Sequence, residues 1–130
     1  MVNTITKQTI LDDAYNLVVK VHIASDGSEE TDYIAIDAST YSPAFTNERL
    51  VKLDVMTSAA ALQGVLEWDA TTDVAICALS PGRSYQLCWE EIGGLPNNAG
   101  TGVTGDILLT TLGLAAGDAL TLIFYIKKVT

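Results

Sequence analysis

Tyr15-Asn16-Leu17-Val18-Val19-Lys20-Val21-His22-Ile23-Ala24-Ser25 decides the fold class, because Leu17, Val19, Val21 and Ile23 alternate with Asn16, Val18, Lys20 and His22. A period of two sends one row toward a core and the other outward, which is the pattern of a strand with one buried face. The same alternation returns in Arg49–Thr57, where Leu50, Lys52, Asp54 and Met56 stand against Val51, Leu53, Val55 and Thr57. It is repeated in Asp32–Ala38, where Tyr33, Ala35 and Asp37 alternate with Ile34 and Ile36. Thr4–Ile10 reads as a Thr-rich edge strand, and Val65–Asp69, Asp106–Thr111 and Leu120–Lys128 as further strands. The Asp26-Gly27-Ser28 turn is expected to reverse the chain into the strand that follows it. Ser39–Asn47, with Tyr41, Pro43 and Phe45, reads as a loop with an aromatic anchor.

Helical periodicity never persists, and only Ser58-Ala59-Ala60-Ala61-Leu62 is compatible with a helical turn. The reading is therefore an all-β chain: one antiparallel β-sandwich over residues 1–130, jelly-roll-like, with about eight or nine strands. Residues 1–10 are either an extended contact arm or an edge strand. Closed-barrel and immunoglobulin-like arrangements are the alternatives, the latter lacking the usual order of Cys and Trp because both cysteines fall between Trp68 and Trp89.

At 130 residues, 48% of them hydrophobic and 18% charged, the chain can bury one sizeable core but not two. The low charged fraction and a mean hydropathy of +0.28 exclude disorder and point to apolar surface shared with another chain, hence a homo-oligomer. Sixteen acids against 7 Lys and Arg leave a net charge of −9, which opposes binding to nucleic acid. No stretch approaches the ~18 apolar residues of a membrane span, and the first residues carry no secretory signal, so a chain made in a cytoplasm and acting without a membrane is expected.

Val74–Leu79 and Tyr85–Glu91 flank Ser80-Pro81-Gly82-Arg83-Ser84 as a hairpin would. A register that pairs Ser80 with Tyr85 sets Cys77 opposite Cys88, leaving two thiols or a cross-strand disulfide as alternatives. In that hairpin Val74, Ile76 and Ala78 face Leu87 and Trp89. The other face, with Ala75, Cys77 and Leu79 beside Gln86, Cys88 and Glu90, is half-apolar and is expected to meet a neighbouring subunit.

A search for chemistry yields little. The single histidine, His22, lies in the outward row of its strand, so nucleophile-and-base catalysis has no second histidine to draw on. The acids gather at turns such as Asp12-Asp13, Asp73 and Asp118, as turn geometry favours. The loop Asp26-Gly27-Ser28-Glu29-Glu30-Thr31-Asp32 has oxygens enough for Ca²⁺ but lacks the spacing of an EF-hand. The glycines from Gly93 to Gly105 have no Lys-Ser/Thr after them and no following helix, so they read as a long β-loop rather than a phosphate cradle. Trp68, Trp89, Tyr85, Tyr33 and Tyr41 are the candidates for a carbohydrate-stacking platform. No catalytic residue, cofactor or metal ligand is assigned, and the chain reads as a non-enzyme.

Three stretches carry a resemblance: Leu66-Glu67-Trp68-Asp69-Ala70-Thr71-Thr72-Asp73, Gly93 through Ile107, and Thr110-Thr111 with Ala116-Gly117-Asp118 before an apolar last strand. Together they resemble small structural proteins of tailed bacteriophages, over most of residues 15–128. The pattern departs at Cys77, Cys88 and Ser80-Pro81-Gly82-Arg83. The resemblance implies a virion protein on the capsid exterior that decorates the shell by bridging major capsid protein subunits, as a trimer. A tail or head–tail connector component and a carbohydrate-binding receptor module are the alternatives. The contact residues expected are Val2, Thr4 and Ile5 in the first segment, Cys77, Leu79 and Cys88 on the hairpin face, and Leu95, Asn97 and Asn98 in the glycine-rich loop.

Overall fold

The computed structural model describes residues 3–129 and builds ten strands, of which β1 (Thr4–Asp12), β2 (Asn16–Ala24), β10 (Ala119–Val129), β4 (Asn47–Thr57) and β7 (Ser84–Cys88) form one antiparallel sheet in that order. The two-residue β8 (Leu95–Pro96) pairs with the other half of the β4 edge that β7 occupies. The second sheet runs β3 (Tyr33–Ile36), β9 (Ile107–Thr110), β5 (Gly64–Trp68) and β6 (Val74–Leu79). Without β1 and β8, these are two four-stranded sheets, β2-β10-β4-β7 and β3-β9-β5-β6. Together they make the strand order of a jelly roll.

Each sheet turns its apolar row inward. Leu17, Val19, Val21 and Ile23 of β2 are all buried, on the same face as the buried Leu120, Leu122, Phe124 and Ile126 paired with them in the neighbouring β10. The second sheet contributes Ile36, Leu66, Trp68, Ile107 and Leu109. Phe45 seals the loop before β4 from within, stacked on Tyr41 at 6.3 Å, as an aromatic anchor should. Gly105 is required beside it: its φ is +87° and a Cβ there would come within 2.5 Å of the Phe45 carbonyl.

The alternation is not strict, because β-bulges interrupt it. In β4, Leu53 pairs with Phe124 and Leu50 with Ile126, so Val51 is the extra residue and both Leu50 and Leu53 point inward. In β3 a shift at Ala35 buries Ala35 and Ile36 together. The Asp26–Ser28 turn does not return the chain alongside β2; it carries it across to the other sheet, since β2 and β3 share no pairing. Ser58–Leu62 forms no helix, and the two short 3-10 turns lie at Ala38–Thr40 and Glu90–Ile92.

The cysteine hairpin is also corrected. β6 pairs with β5 and β7 with β4, so the segment Ser80–Arg83 crosses between sheets instead of closing a hairpin. Cys77 pairs with Leu66 and is half-buried toward the core, whereas Cys88 pairs with Lys52 and is exposed on the outside of the other sheet. Both thiols are free. Burial pushes the Cys77 thiol up to about 11, away from reactive thiolate.

Two outcomes are expected. Phe124→Ala should lose about 3–5 kcal/mol of unfolding free energy in urea, while Leu112→Ala, at a 58% exposed site, should change it by less than about 0.5. An aromatic disulfide reagent should titrate Cys88 rapidly in the native protein and Cys77 far more slowly; equal rates would contradict the inward placement of Cys77.

Candidate functional site

Three of the large apolar side chains left outside the core gather at one turn, while Ile34, Met56, Ile92 and Leu112 are exposed on other elements. Ile10, Leu11 and Tyr15 flank the β1–β2 turn and are 54%, 44% and 67% exposed. Their display follows from a bulge: the β1–β2 register shifts between Thr9 and Leu11, which makes Ile10 the extra residue and turns Leu11 to the outer face beside Val18. Beside them the outer face of the first sheet holds a shallow hollow of about 210 Å³, lined by Leu11, Val18, Val51 and Tyr125. Lys52 borders it, paired to Glu90 at 3.3 Å and lying 5.0 Å over the Tyr125 ring.

The turn is braced from inside. Lys128, its side chain fully buried, extends from β10 and donates to the Asp12 carboxylate and, at 2.9 Å, to the Asp13 carbonyl. Asp13 Oδ1 accepts the amides of Tyr15 at 2.9 Å and Asn16 at 2.7 Å, and these bonds hold its carboxyl below the usual carboxylate range. A buried cation anchored to a turn acts as a rivet; the apolar residues on the turn are thereby presented in one conformation.

Glu48 lies at the same end of the sandwich. It is directly opposite Lys128 in the β4–β10 register and is fully buried. Asn97, just beyond β8, donates to its Oε1 at 2.6 Å, and the Asn97 amide bonds its carbonyl at 2.9 Å. Among the described residues, Glu48 Oε2 is the buried side-chain polar atom without a hydrogen-bond partner. Desolvation, with the charge of Asp106 adding to it, pushes the carboxyl up to about 7.

Elsewhere, Asp32, Glu67 and Asp73 bring carboxylate oxygens within 4.8 Å of one another on the second sheet, a donor set of the kind hard cations take. Burial and the two neighbouring aspartates raise the Glu67 carboxyl. Sequence spacing missed this group, because only Asp32 belongs to the acidic loop singled out earlier. The rest of that loop disperses: Glu29 accepts from the Thr111 hydroxyl and the Gly113 and Leu114 amides, and Glu30 from Asn3. His22 Nδ1 lies 2.8 Å from the Thr121 hydroxyl in a cross-strand contact.

The expected contact residues fall on different surfaces. Val2 lies outside the described residues. Thr4 is exposed and Ile5 half-buried on the edge strand β1, where Ile5 packs on the core. Leu79 is buried, forming one wall of an apolar groove of about 520 Å³ with Leu62, Val65 and Pro81. Cys77 faces inward and Cys88 outward on the opposite sheet, so the three do not share a face. Leu95 packs on the core, Asn97 holds Glu48, and Asn98 is exposed. The five aromatics considered for sugar stacking do not make a common platform. Trp68 is fully buried, Tyr41 stacks on Phe45, and Tyr33, Tyr85 and Trp89 are half-buried against the core.

No protein-family model and no curated protein matches the chain. Among solved structures, it is similar to a cupin domain from Bordetella pertussis Tohama I at 12% identity, over 97% of this chain and 94% of that one, with a TM-score of 0.35. It is similar to Peruvianin-I, a cysteine peptidase from Thevetia peruviana latex, at 8% identity over 93% of this chain and 60% of that one, with a TM-score of 0.38. It is also similar to the low-affinity xylan-binding module CBM86 from Roseburia intestinalis at 10% identity, over 100% and 97% of the two chains, with a TM-score of 0.29. Likeness at this level carries no functional argument.

Glu48 makes a measurable pH dependence. An acid whose folded pKa lies above its unfolded value holds its proton more tightly when folded. Its contribution is therefore fully present below the ordinary carboxylate range and is lost as pH rises through about 7, a change of roughly 3 kcal/mol. Glu48→Gln should flatten that slope in urea unfolding and be more stable than the native chain at about pH 8; a mutant with the native slope would assign the dependence elsewhere.

Proposed function

We propose that this chain is a structural protein of a tailed-phage virion, seated on the capsid exterior, where it decorates the shell by bridging major coat subunits. The observation that carries the reading is the braced β1–β2 turn, which presents Ile10, Leu11 and Tyr15 together, whereas the exposed Ile34, Met56, Ile92 and Leu112 lie on other elements. Exposed apolar residues gathered at one preorganised place favour docking on another protein over turnover of a small substrate. The net charge of −9 keeps such a surface soluble and repels packaged or free nucleic acid. The trimeric state and the coat-protein partner come from the resemblance in Leu66–Asp73, Gly93–Ile107 and Thr110–Asp118. A trimer that touches several subunits converts weak single contacts into firm retention.

Copy number tests this reading. In purified phage particles, quantitative mass spectrometry against the major coat protein should find hundreds of copies in simple ratio to the coat. A dozen or fewer would move the chain to the tail or connector, and absence from particles would overturn the virion reading. Replacing Ile10, Leu11 and Tyr15 together by Ser should lower occupancy on stripped particles at least tenfold, on the order of the loss of a small apolar anchor. Because these side chains are exposed, the variant should unfold at nearly the native urea concentration.

A further inference from the structure

Glu48 and Lys128 are direct cross-strand neighbours on the inner face, yet they are not paired. The ammonium goes to Asp12 and the Asp13 carbonyl, while one oxygen of Glu48 has no partner. Cβ atoms of directly opposite residues in an antiparallel pair lie about 4.5–5.5 Å apart, which puts the Glu48 carboxyl within reach of the Lys128 side chain.

We propose that Glu48 and the β1–β2 turn compete for the Lys128 ammonium, so that a proton on Glu48 decides whether the turn is braced. With Glu48 protonated, Lys128 stays on Asp12 and Asp13 and the turn is held. When the proton leaves to solvent, the free oxygen of Glu48 becomes a buried carboxylate and draws the ammonium across the strands. The one bond broken is the O–H of the Glu48 carboxyl, whose proton passes to solvent water, and Lys128 keeps its charge throughout.

Desolvation decides which acceptor wins. The Asp12 side chain is 24% exposed, so water can replace the ammonium there, whereas a Glu48 carboxylate left alone is sealed from water. The other charged groups around Glu48 do not remove this imbalance. Asp106, ahead of β9, adds negative charge; Arg49, next to Glu48 on β4, is engaged with the Gly94 carbonyl at 3.2 Å; and Asn97, beyond β8, is neutral. Asp12 and Asp13 enter through Lys128, whose ammonium they hold. The titration of Glu48 near neutrality places the exchange in the physiological range.

The exchange regulates the turn that the proposed function uses as its contact surface, but its test reads the isolated chain and so stands apart from any capsid. Amide hydrogen exchange should be followed for Asp13, which donates to the Asn16 carbonyl at 3.0 Å, and for Lys128, which donates to the Tyr15 carbonyl at 2.7 Å. Expressed as protection factors, which remove the intrinsic pH dependence, both should fall about tenfold between roughly pH 5.5 and pH 8.5. Amides of β5 and β9 that exchange through global unfolding should follow the stability that urea unfolding reads over the same range, and Glu48→Gln should keep the turn protected at both pH values. Constant protection in the native chain, an equal fall in Glu48→Gln, or turn amides whose opening free energy equals that of β5 and β9 at both pH values would each overturn the proposal. Lys128→Met should leave the turn unprotected at both pH values. Should that variant not fold, carbon-13 titration of the Glu48 carboxyl in the native chain replaces it, and a midpoint in the ordinary carboxylate range overturns the exchange.

Discussion

A sandwich has a single interior, so every strand that crosses it must keep its apolar side chains in phase with that interior. In this chain the phase is reset by single-residue bulges at Ile10, Ala35, Val51 and Ile76, where two residues of one strand oppose one of the next. The bulge at Val51 lets Leu50 and Leu53 both face Ile126 and Phe124 across β10. The bulge at Ile76 keeps Val74 and Cys77 aligned with the buried Trp68 and Leu66. The one at Ile10 has the opposite effect: it releases Ile10 and Leu11 to the outside of the first sheet. The core and the exposed apolar turn thus come from the same device.

The inner rows also carry polar residues to one end of the sandwich. Continuing the phase set at Val51 brings Glu48 to the interior, and continuing β10 beyond Ile126 brings Lys128 there. Each solves the problem of burial differently. Lys128 reaches out to the Asp12 carboxylate and the Asp13 carbonyl of the β1–β2 turn, whereas Glu48 is held by Asn97 through one oxygen and its burial favours the neutral form, raising its pKa. The turn, the loop after β8 and the two long central strands meet through these groups, so the state of one buried proton can reach an exposed surface.

Much of the fold was legible in the strand patterns. Leu17, Val19, Val21 and Ile23 are buried as their period implies, Thr4–Asp12 is an edge strand, and the strands assemble in jelly-roll order. What failed was local pairing inferred from proximity in sequence. Val74–Leu79 and Ser84–Cys88 look like the arms of a hairpin, but nothing in the four residues between them says whether the chain pairs with itself or crosses to the facing sheet. That choice belongs to β5 and β4, which pair with β6 and β7 in the two different sheets. The cysteine face inferred from the hairpin fell with it.

The candidate site was less legible. Ile10, Leu11 and Tyr15 stand in the sequence without any mark of exposure, because a run of Ile and Leu at the end of a strand is ordinarily core. Glu48 and Lys128 carry no local mark of burial, and Asp32, Glu67 and Asp73 lie too far apart in sequence for spacing to group them. By itself the sequence determined the all-β class, the inward rows of the regular strands and the acidic balance, since period-two burial and net charge are properties of neighbouring residues and composition. Only the tertiary structure decided which sheet each strand joined, where a bulge shifted the phase and which charges were buried together. Those outcomes depend on contacts between residues as distant as Asp12 and Lys128, whose energies no local pattern encodes.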